Sequence, residues 1–432
     1  LVFESTLNNP FARAAVLLGT LAGCGLLLFA TASHFIVRAL TDVRVPANRE
    51  MLALAAQYFP SSPQLNARLS EAELSVADDR DAAVGRADQA VSRAITASPF
   101  DYRYRVLQAS VREAAGDRSG AEAALREAVR LAPGNTDVQW RLANLLVRSG
   151  RLAESLDDFH TAVKSRPALL PGALDVIWNV SGGNVGMLGR VAGQEPLAQL
   201  ALAHFLLRRS RAAEAISSFD QTGREARLAT GEAATLSAAF ITALIAAGRT
   251  DEAHRAWLET LGFEGGQLLS DGGLEADIPR GFEQFAWQIG SSEQARFRIS
   301  DAEGAAHTGR RGLRIDFAGR NSTTLGGEVR HQLAVTPGTT YRVECFVKTK
   351  NLTTPEGPRL AVTGAAGVIA ASAPVAAGTS DWQMLSFEFT APAGARLLSL
   401  TLQRTPKFGY DDPTRGTIWF DDFTVAELKG SH

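Results

Sequence analysis

Pro99, Pro133 and Pro167 stand 34 residues apart, twice in succession. A period of this length constrains a chain strongly, because each unit must bury its apolar face against the next. The stretches ahead of the prolines share more than the proline. "GDRSGAEAALREAVRLAPGN" (116–135) aligns with "GRLAESLDDFHTAVKSRPAL" (150–169). Each has a glycine, then a small residue, a large apolar residue four on, and alanine three further. These are Ala121, Leu125 and Ala128, then Ser155, Phe159 and Ala162; Ala87, Val91 and Ala94 lead to Pro99 in the same frame. Ala109 and Ala143 match one another on the preceding helix. Small side chains let two helices approach closely, and the large one fills the gap to the next pair. Proline ends the second helix because it lacks an N–H and clashes with the previous turn.

This pattern resembles the tetratricopeptide repeat. The helix-turn-helix signal returns at 204–219 and 242–257, so five to six repeats are expected over about 66–263. Residues 168–195, with "VSGGNVGMLG", are too glycine-rich for two good helices and predict a degenerate repeat or a break. The resemblance implies an all-α solenoid with a concave face lined by the first helix of each repeat, and a protein as partner. It places Arg103, Arg141, Asn144 and Arg148 near one another, as a groove for an acidic or C-terminal peptide. The same residues also suit a solvated helical face.

Ahead of the repeats, Ala14 to Val37 runs 24 residues without a charge, bracketed by Arg13 and Arg38. About 20 apolar residues span the hydrocarbon core as a helix. A buried soluble helix of this length would carry a polar stripe, which this run lacks. Ala30-Thr31-Ala32 also fits the cleavage site of a signal peptide. The expectation is a retained transmembrane helix over 12–40, after a tail at 1–11 and before a linker and helix at 41–65. The chain begins at Leu1, which leaves open further membrane helices upstream. Arg38, Arg44 and Arg49 follow the span while only Arg13 precedes it, a bias toward a cytoplasmic C-terminal part. Gly19 and Gly23 have the spacing that lets a second helix approach.

From about 266 the apolar period changes from 3.6 to 2. Leu313, Ile315 and Phe317 alternate, as do Tyr341, Val343, Cys345 and Val347, then Leu385, Phe387 and Phe389, then Leu398, Leu400 and Leu402. Strict alternation marks strands with one buried face. With turn signals such as "TPGTT" and "DDPTRG" between them, nine to eleven strands predict an antiparallel β-sandwich over 266–428.

The order of landmarks resembles the carbohydrate-binding jelly rolls found beside bacterial glycoside hydrolases. "LLSDGGLEAD" opens the segment, Trp287 follows, "PGTTY" precedes one strand, "DWQMLSFEF" forms another, and "GTIWFDD" closes it. The resemblance implies a structural calcium ion shared between the first and last strands, with Glu275 and Asp421 as ligands and Asp422 beside them. Calcium takes six to eight hard oxygen ligands, which suits such a mixture. Trp287 and Trp382 match core positions. The loop "RTPKFGYDDPTRG" supplies Phe408 and Tyr410 for stacking on a sugar, with Arg404, Lys407 and Asp411 for hydroxyls or acidic groups. The implied location of this part is the periplasm or the cell exterior.

Catalytic signatures are missing from the sequence. The seven histidines are scattered, with no His-Glu-x-x-His; there is no Gly-x-Ser-x-Gly elbow, and the glycine-rich "SGGNVGMLG" lacks the lysine of a phosphate loop. A net charge of -2 without a basic stripe argues against nucleic acid. Cys24 and Cys345 are too far apart in pattern to suggest a disulfide. The sequence therefore reads as a non-enzymatic scaffold of a bacterial envelope membrane, supporting surface polysaccharide assembly or export through protein and glycan binding. Two alternatives stand beside it: an accessory subunit of a membrane complex that binds no sugar, and the tail of a polysaccharide polymerase or ligase.

Overall fold

The computed structural model describes residues 10–42, 48–75, 79–263 and 266–428. Arg44 and the tail expected before Pro10 lie outside these. Helices come first and strands last, as the change of period requires.

Helix α1, Pro10–Thr41, carries the uncharged run, and none of its apolar window is buried. It is long and apolar enough to cross a membrane; an N-terminal signal sequence meets the same test.

The next helices are α2 (Arg49–Tyr58), α3 (Pro63–Leu74), α4 (Arg80–Ala97), α5 (Tyr102–Ala114), α6 (Arg118–Leu131), α7 (Thr136–Arg148) and α8 (Leu152–Ser165). The sequence repeat becomes an atomic one. Ser98, Ala132 and Arg166, each just before a repeat proline, leave the helical region, and their N–H groups donate to the carbonyls of Ala94, Ala128 and Ala162. Those three alanines, with Ala87, Ala121 and Ser155, are fully buried where paired helices touch. The turn between paired helices repeats too. Gly116 and Gly150 adopt a left-handed conformation (φ 77° at each), and the following N–H reaches back to Arg112 O and Leu146 O at 2.9 Å. This is the six-to-one closure that glycine favours at a helix end. The glycine-rich stretch after Pro167 forms two short helices, α9 (Leu170–Ser181) and α10 (Val185–Ala192).

The chain divides into two compact units, Leu1–Gly193 and Gln194–His432. The second contains α11 (Pro196–Arg208), α12 (Ala212–Asp220), α13 (Arg224–Leu228), α14 (Glu232–Ala246) and α15 (Thr250–Leu261), followed by the strands. Gly248 repeats the turn (φ 73°), and Ser210 adopts it without being glycine (φ 61°). Within this unit the last helices share packing with the segment that leads into the strands. The Trp257 indole, fully buried, donates to Phe282 O at 2.7 Å and packs with Phe263 and Phe285; the Gln284 amide donates to Ala238 O at 3.1 Å.

The strands are β1 (Gln288–Ile289), β2 (Ala295–Ser300), β3 (Gly312–Ala318), β4 (Leu325–Ala334), β5 (Thr340–Thr353), β6 (Arg359–Gly364), β7 (Gly367–Ala371), β8 (Gly378–Thr390), β9 (Leu397–Arg404) and β10 (Arg415–Glu427). All pairings are antiparallel, in two five-stranded sheets ordered β1-β4-β9-β6-β7 and β2-β3-β10-β5-β8. The alternating residues Leu313, Ile315, Tyr341, Val343, Cys345, Leu398, Leu400 and Leu402 meet in one core between the sheets.

Candidate functional site

In the first unit a cavity of about 280 Å³ opens between α5 and α7. Trp140, Arg141, Asn144 and Arg148 line one side, Ser110 and Glu113 the other. All four residues from α7 lie within little more than two turns of one another, and helical spacing turns them toward α5. Arg148 pairs with Glu113 at 2.5 Å, and Arg141 donates to Ser110 Oγ at 3.4 Å. Two guanidinium groups thus face one carboxylate, which leaves the cavity suited to an anionic group. Arg103 does not join them. It sits in the first turn of α5 and folds back onto Asp101, the residue that caps the helix, at 2.6 Å. A short capping carboxylate two residues away outcompetes a more distant groove.

In the sandwich the loop after β9 separates into two roles. Phe408 and Tyr410 are 64% and 71% exposed, as a stacking platform requires. Arg404 and Asp411 are not available to a ligand. They form an ion pair at 3.0 Å with both side chains 0% exposed. The Arg404 guanidinium also donates to Glu356 O at 3.1 Å, Thr354 Oγ1 at 3.3 Å and Thr323 O. Asp411 accepts from the N–H groups of Lys407 (2.7 Å) and Phe408 (2.9 Å). Burial by itself would raise the Asp411 carboxyl; these N–H donors and Arg404 together hold it below the usual range. The direct sugar contact expected of Arg404 and Asp411 is therefore replaced by a positioning role. They tie three loops together and hold the two exposed rings. Tyr410 is held further by a hydrogen bond from the Asn321 amide to its hydroxyl.

The glutamate of "DGGLE" lies against the other end of the same domain. Phe423 N donates to Gly272 O at 2.9 Å, and a side chain on Gly272 would put Cβ 1.9 Å from Phe423 O. One loop clasps the carboxylates of both ends. The N–H groups of Arg310 and Arg311 donate to Glu275 Oε1 at 2.5 and 2.8 Å; those of His307 and Thr308 donate to Asp421 Oδ2 at 2.7 and 3.1 Å. Asp422 accepts from Thr308 Oγ1 at 2.6 Å and meets His307 Nδ1 at 2.6 Å. The donated N–H groups hold the Glu275 carboxyl below its usual range, while burial holds that of Asp421 above it. The donor set is all oxygen, as calcium prefers, but Glu275 Oε1 and Asp421 Oδ2 each already accept two N–H groups. Among the described residues no group of three or more His, Cys, Asp or Glu side chains is set to hold a metal.

Two features escaped the sequence reading. Trp382 is not core. It stands on the outer face of β8, with Lys348 Nζ 5.8 Å from its ring centre and His307 at its edge, beside the exposed Met384. Opposite Met384 across the strand pair lies Phe346, stacked on His307 at 3.8 Å. Trp382 shares the parity of Met384, opposite to Leu385, Phe387 and Phe389, which pack on the core, so alternation along β8 turns it outward although the resemblance implied a core position. Trp287 does pack on the core, donating to Asp271 O at 3.1 Å. It also lines a cavity of about 470 Å³ with Ile278, Ile299, Asp271, Asp277, Asp301 and Arg311. Its polar groups are engaged within the protein: Arg311 pairs with Asp277 at 2.7 Å, and Asp271 Oδ1 accepts the N–H groups of Glu275 and Ala276 at 2.7 and 3.0 Å.

Residues 113–165 match the family model of the tetratricopeptide repeat. No match is found among curated proteins. Among solved structures, a thermophilic tetratricopeptide protein of Thermus thermophilus is similar at 23% identity over 39% of this chain and 95% of its own, TM-score 0.28. A structure described as CBM4 is similar at 18% identity over 37% of this chain and 99% of its own, TM-score 0.27. A CBM61 module in complex with β-1,4-galactotriose is similar at 14% identity over 38% of this chain and 100% of its own, TM-score 0.26.

Proposed function

We propose that this protein is a non-enzymatic, membrane-anchored scaffold of the bacterial cell envelope, with its bulk in the periplasm or outside the cell. The repeats hold a protein partner through an acidic segment at Arg141, Asn144 and Arg148. The sandwich holds a polysaccharide, in support of its assembly or export. The observation that carries the glycan half is the β9–β10 loop. Two exposed aromatic rings ride on a fully buried ion pair, so the platform is rigid before any ligand arrives, and little ordering entropy is spent on binding. Pyranose rings stack on such faces through their C–H groups. Calcium belongs to the proposal as a structural ion held by the oxygens of Glu275, Asp421 and Asp422, joining the two ends of the sandwich.

The test is glycan-array binding by residues 194–432, with and without Tyr410→Ala. Tyr410→Ala is expected to weaken binding roughly tenfold or more, since aromatic hot spots cost about 2 kcal/mol on truncation, with Tm unchanged. A folded unit that binds no glycan at all would favour the accessory-subunit reading, in which the same surface meets protein.

A further inference from the structure

Helix α2 has two apolar faces and only one of them is covered. Leu52, Ala55 and Ala56 pack on Leu65 and Leu69 of α3. Met51, Leu54 and Tyr58, spaced three and four apart, form a separate stripe that is 55%, 56% and 75% exposed. Gln57 and Glu50 lie outside both faces, and Arg49 turns to the covered side, 3.9 Å from Glu73 of α3. A short helix that leaves three large apolar side chains in water is costly unless something else covers them.

The fold says what lies next to it. Leu40, in the last turn of α1, packs into the same cluster as Leu52, Leu65 and Leu69. The end of the candidate membrane span and the covered face of α2 therefore belong to one packed group. The uncharged run of 24 residues ending at Val37 is about 36 Å long at 1.5 Å per residue, slightly more than the roughly 30 Å hydrocarbon core. Arg38 then stands at the membrane surface, and the cluster around Leu40 lies within a turn of it. A tyrosine and two long aliphatic side chains on one helix face suit the headgroup boundary.

We infer that α2 lies on the membrane surface, with Met51, Leu54 and Tyr58 against lipid, so that the first helical pair is seated on the bilayer instead of swinging from a tether. This rests on α1 being a retained span. The test uses the full chain in vesicles of phosphatidylcholine and phosphatidylglycerol carrying a nitroxide near the headgroup. An environment-sensitive fluorophore is placed at Leu54→Cys or Gln57→Cys in a Cys24→Ser background; Cys345 is buried. A third sample carries the fluorophore on the native Cys24. The expected result is several-fold stronger lipid quenching at position 54 than at 57. Equal access of positions 54 and 57 to a water-soluble quencher, with the Cys24 probe still in lipid, overturns the inference alone. A position 54 shielded from both quenchers means that protein covers the stripe, a second copy or a partner, and also overturns it. A Cys24 probe that reads water removes the span, and the inference falls with it.

Discussion

Residues in this protein act through what they exclude as much as through what they touch. Arg404 and Asp411 look like ligand-binding residues in a polar loop, yet both are fully buried and every polar contact they make is internal. Breaking a buried pair leaves one charge without a partner, which costs far more than replacing both residues with apolar ones. Asp411→Ala is expected to lower Tm on the order of 10 °C and to abolish the proposed glycan binding with it. Arg404→Met combined with Asp411→Leu should recover part of the Tm. A Tm unmoved by Asp411→Ala, read by calorimetry on residues 194–432, would show that the loop is not held by this pair.

At the scale of elements, the two ends of the sandwich are joined by a loop whose N–H groups satisfy their carboxylates. Whether an ion shares that work is open to measurement. If calcium is bound, chelation lowers the Tm of the native protein and leaves Glu275→Ala/Asp421→Ala unchanged. If the double variant loses the same Tm with calcium and with chelator, the N–H clasp alone joins the ends. The repeat helices were legible because their signals are local. A glycine at a helix end and a proline after the next one report backbone geometry that needs no distant partner. The strands were legible by alternation, and the same alternation turns Trp382 outward, opposite in parity to Leu385, Phe387 and Phe389. The core position implied for it came from the family resemblance, and the parity of the strand overrules that.

At the scale of the molecule, the helices α14 and α15 and the entry to the sandwich share buried contacts. Residues 194–432 are therefore expected to unfold in one transition. A chain cut at 264 would strip Trp257 from Phe282 and Ala238 from Gln284, and should melt at lower temperature; equal melting would make the helices dispensable. The same unit predicts a pH response. Burial pushes His254 and His331 down to about 4 from an ordinary 6.5. The folded state resists protonating them, so stability is full above about pH 6.5 and falls as pH drops toward 4, by up to roughly 3 kcal/mol per ring. Asp271 and Asp421, whose carboxyls burial raises, act in the opposite sense. The measurement is thus comparative: His254→Gln with His331→Gln should flatten Tm against pH between 6.5 and 4, and an unchanged slope would assign the response elsewhere.

The sequence alone determined the apolar run, the repeat period with its turns and prolines, and the switch to alternating strands. These are properties of neighbouring residues along one chain, set by backbone sterics and by which face must be buried. Only the tertiary structure decided that Arg103 turns to its own cap and that Arg404 and Asp411 hold the aromatic loop instead of a ligand. It also decided that one loop closes on the carboxylates of both ends of the sandwich. Each depends on which residues, far apart in sequence, compete for the same donor, charge or space, and that competition exists only once the chain is packed.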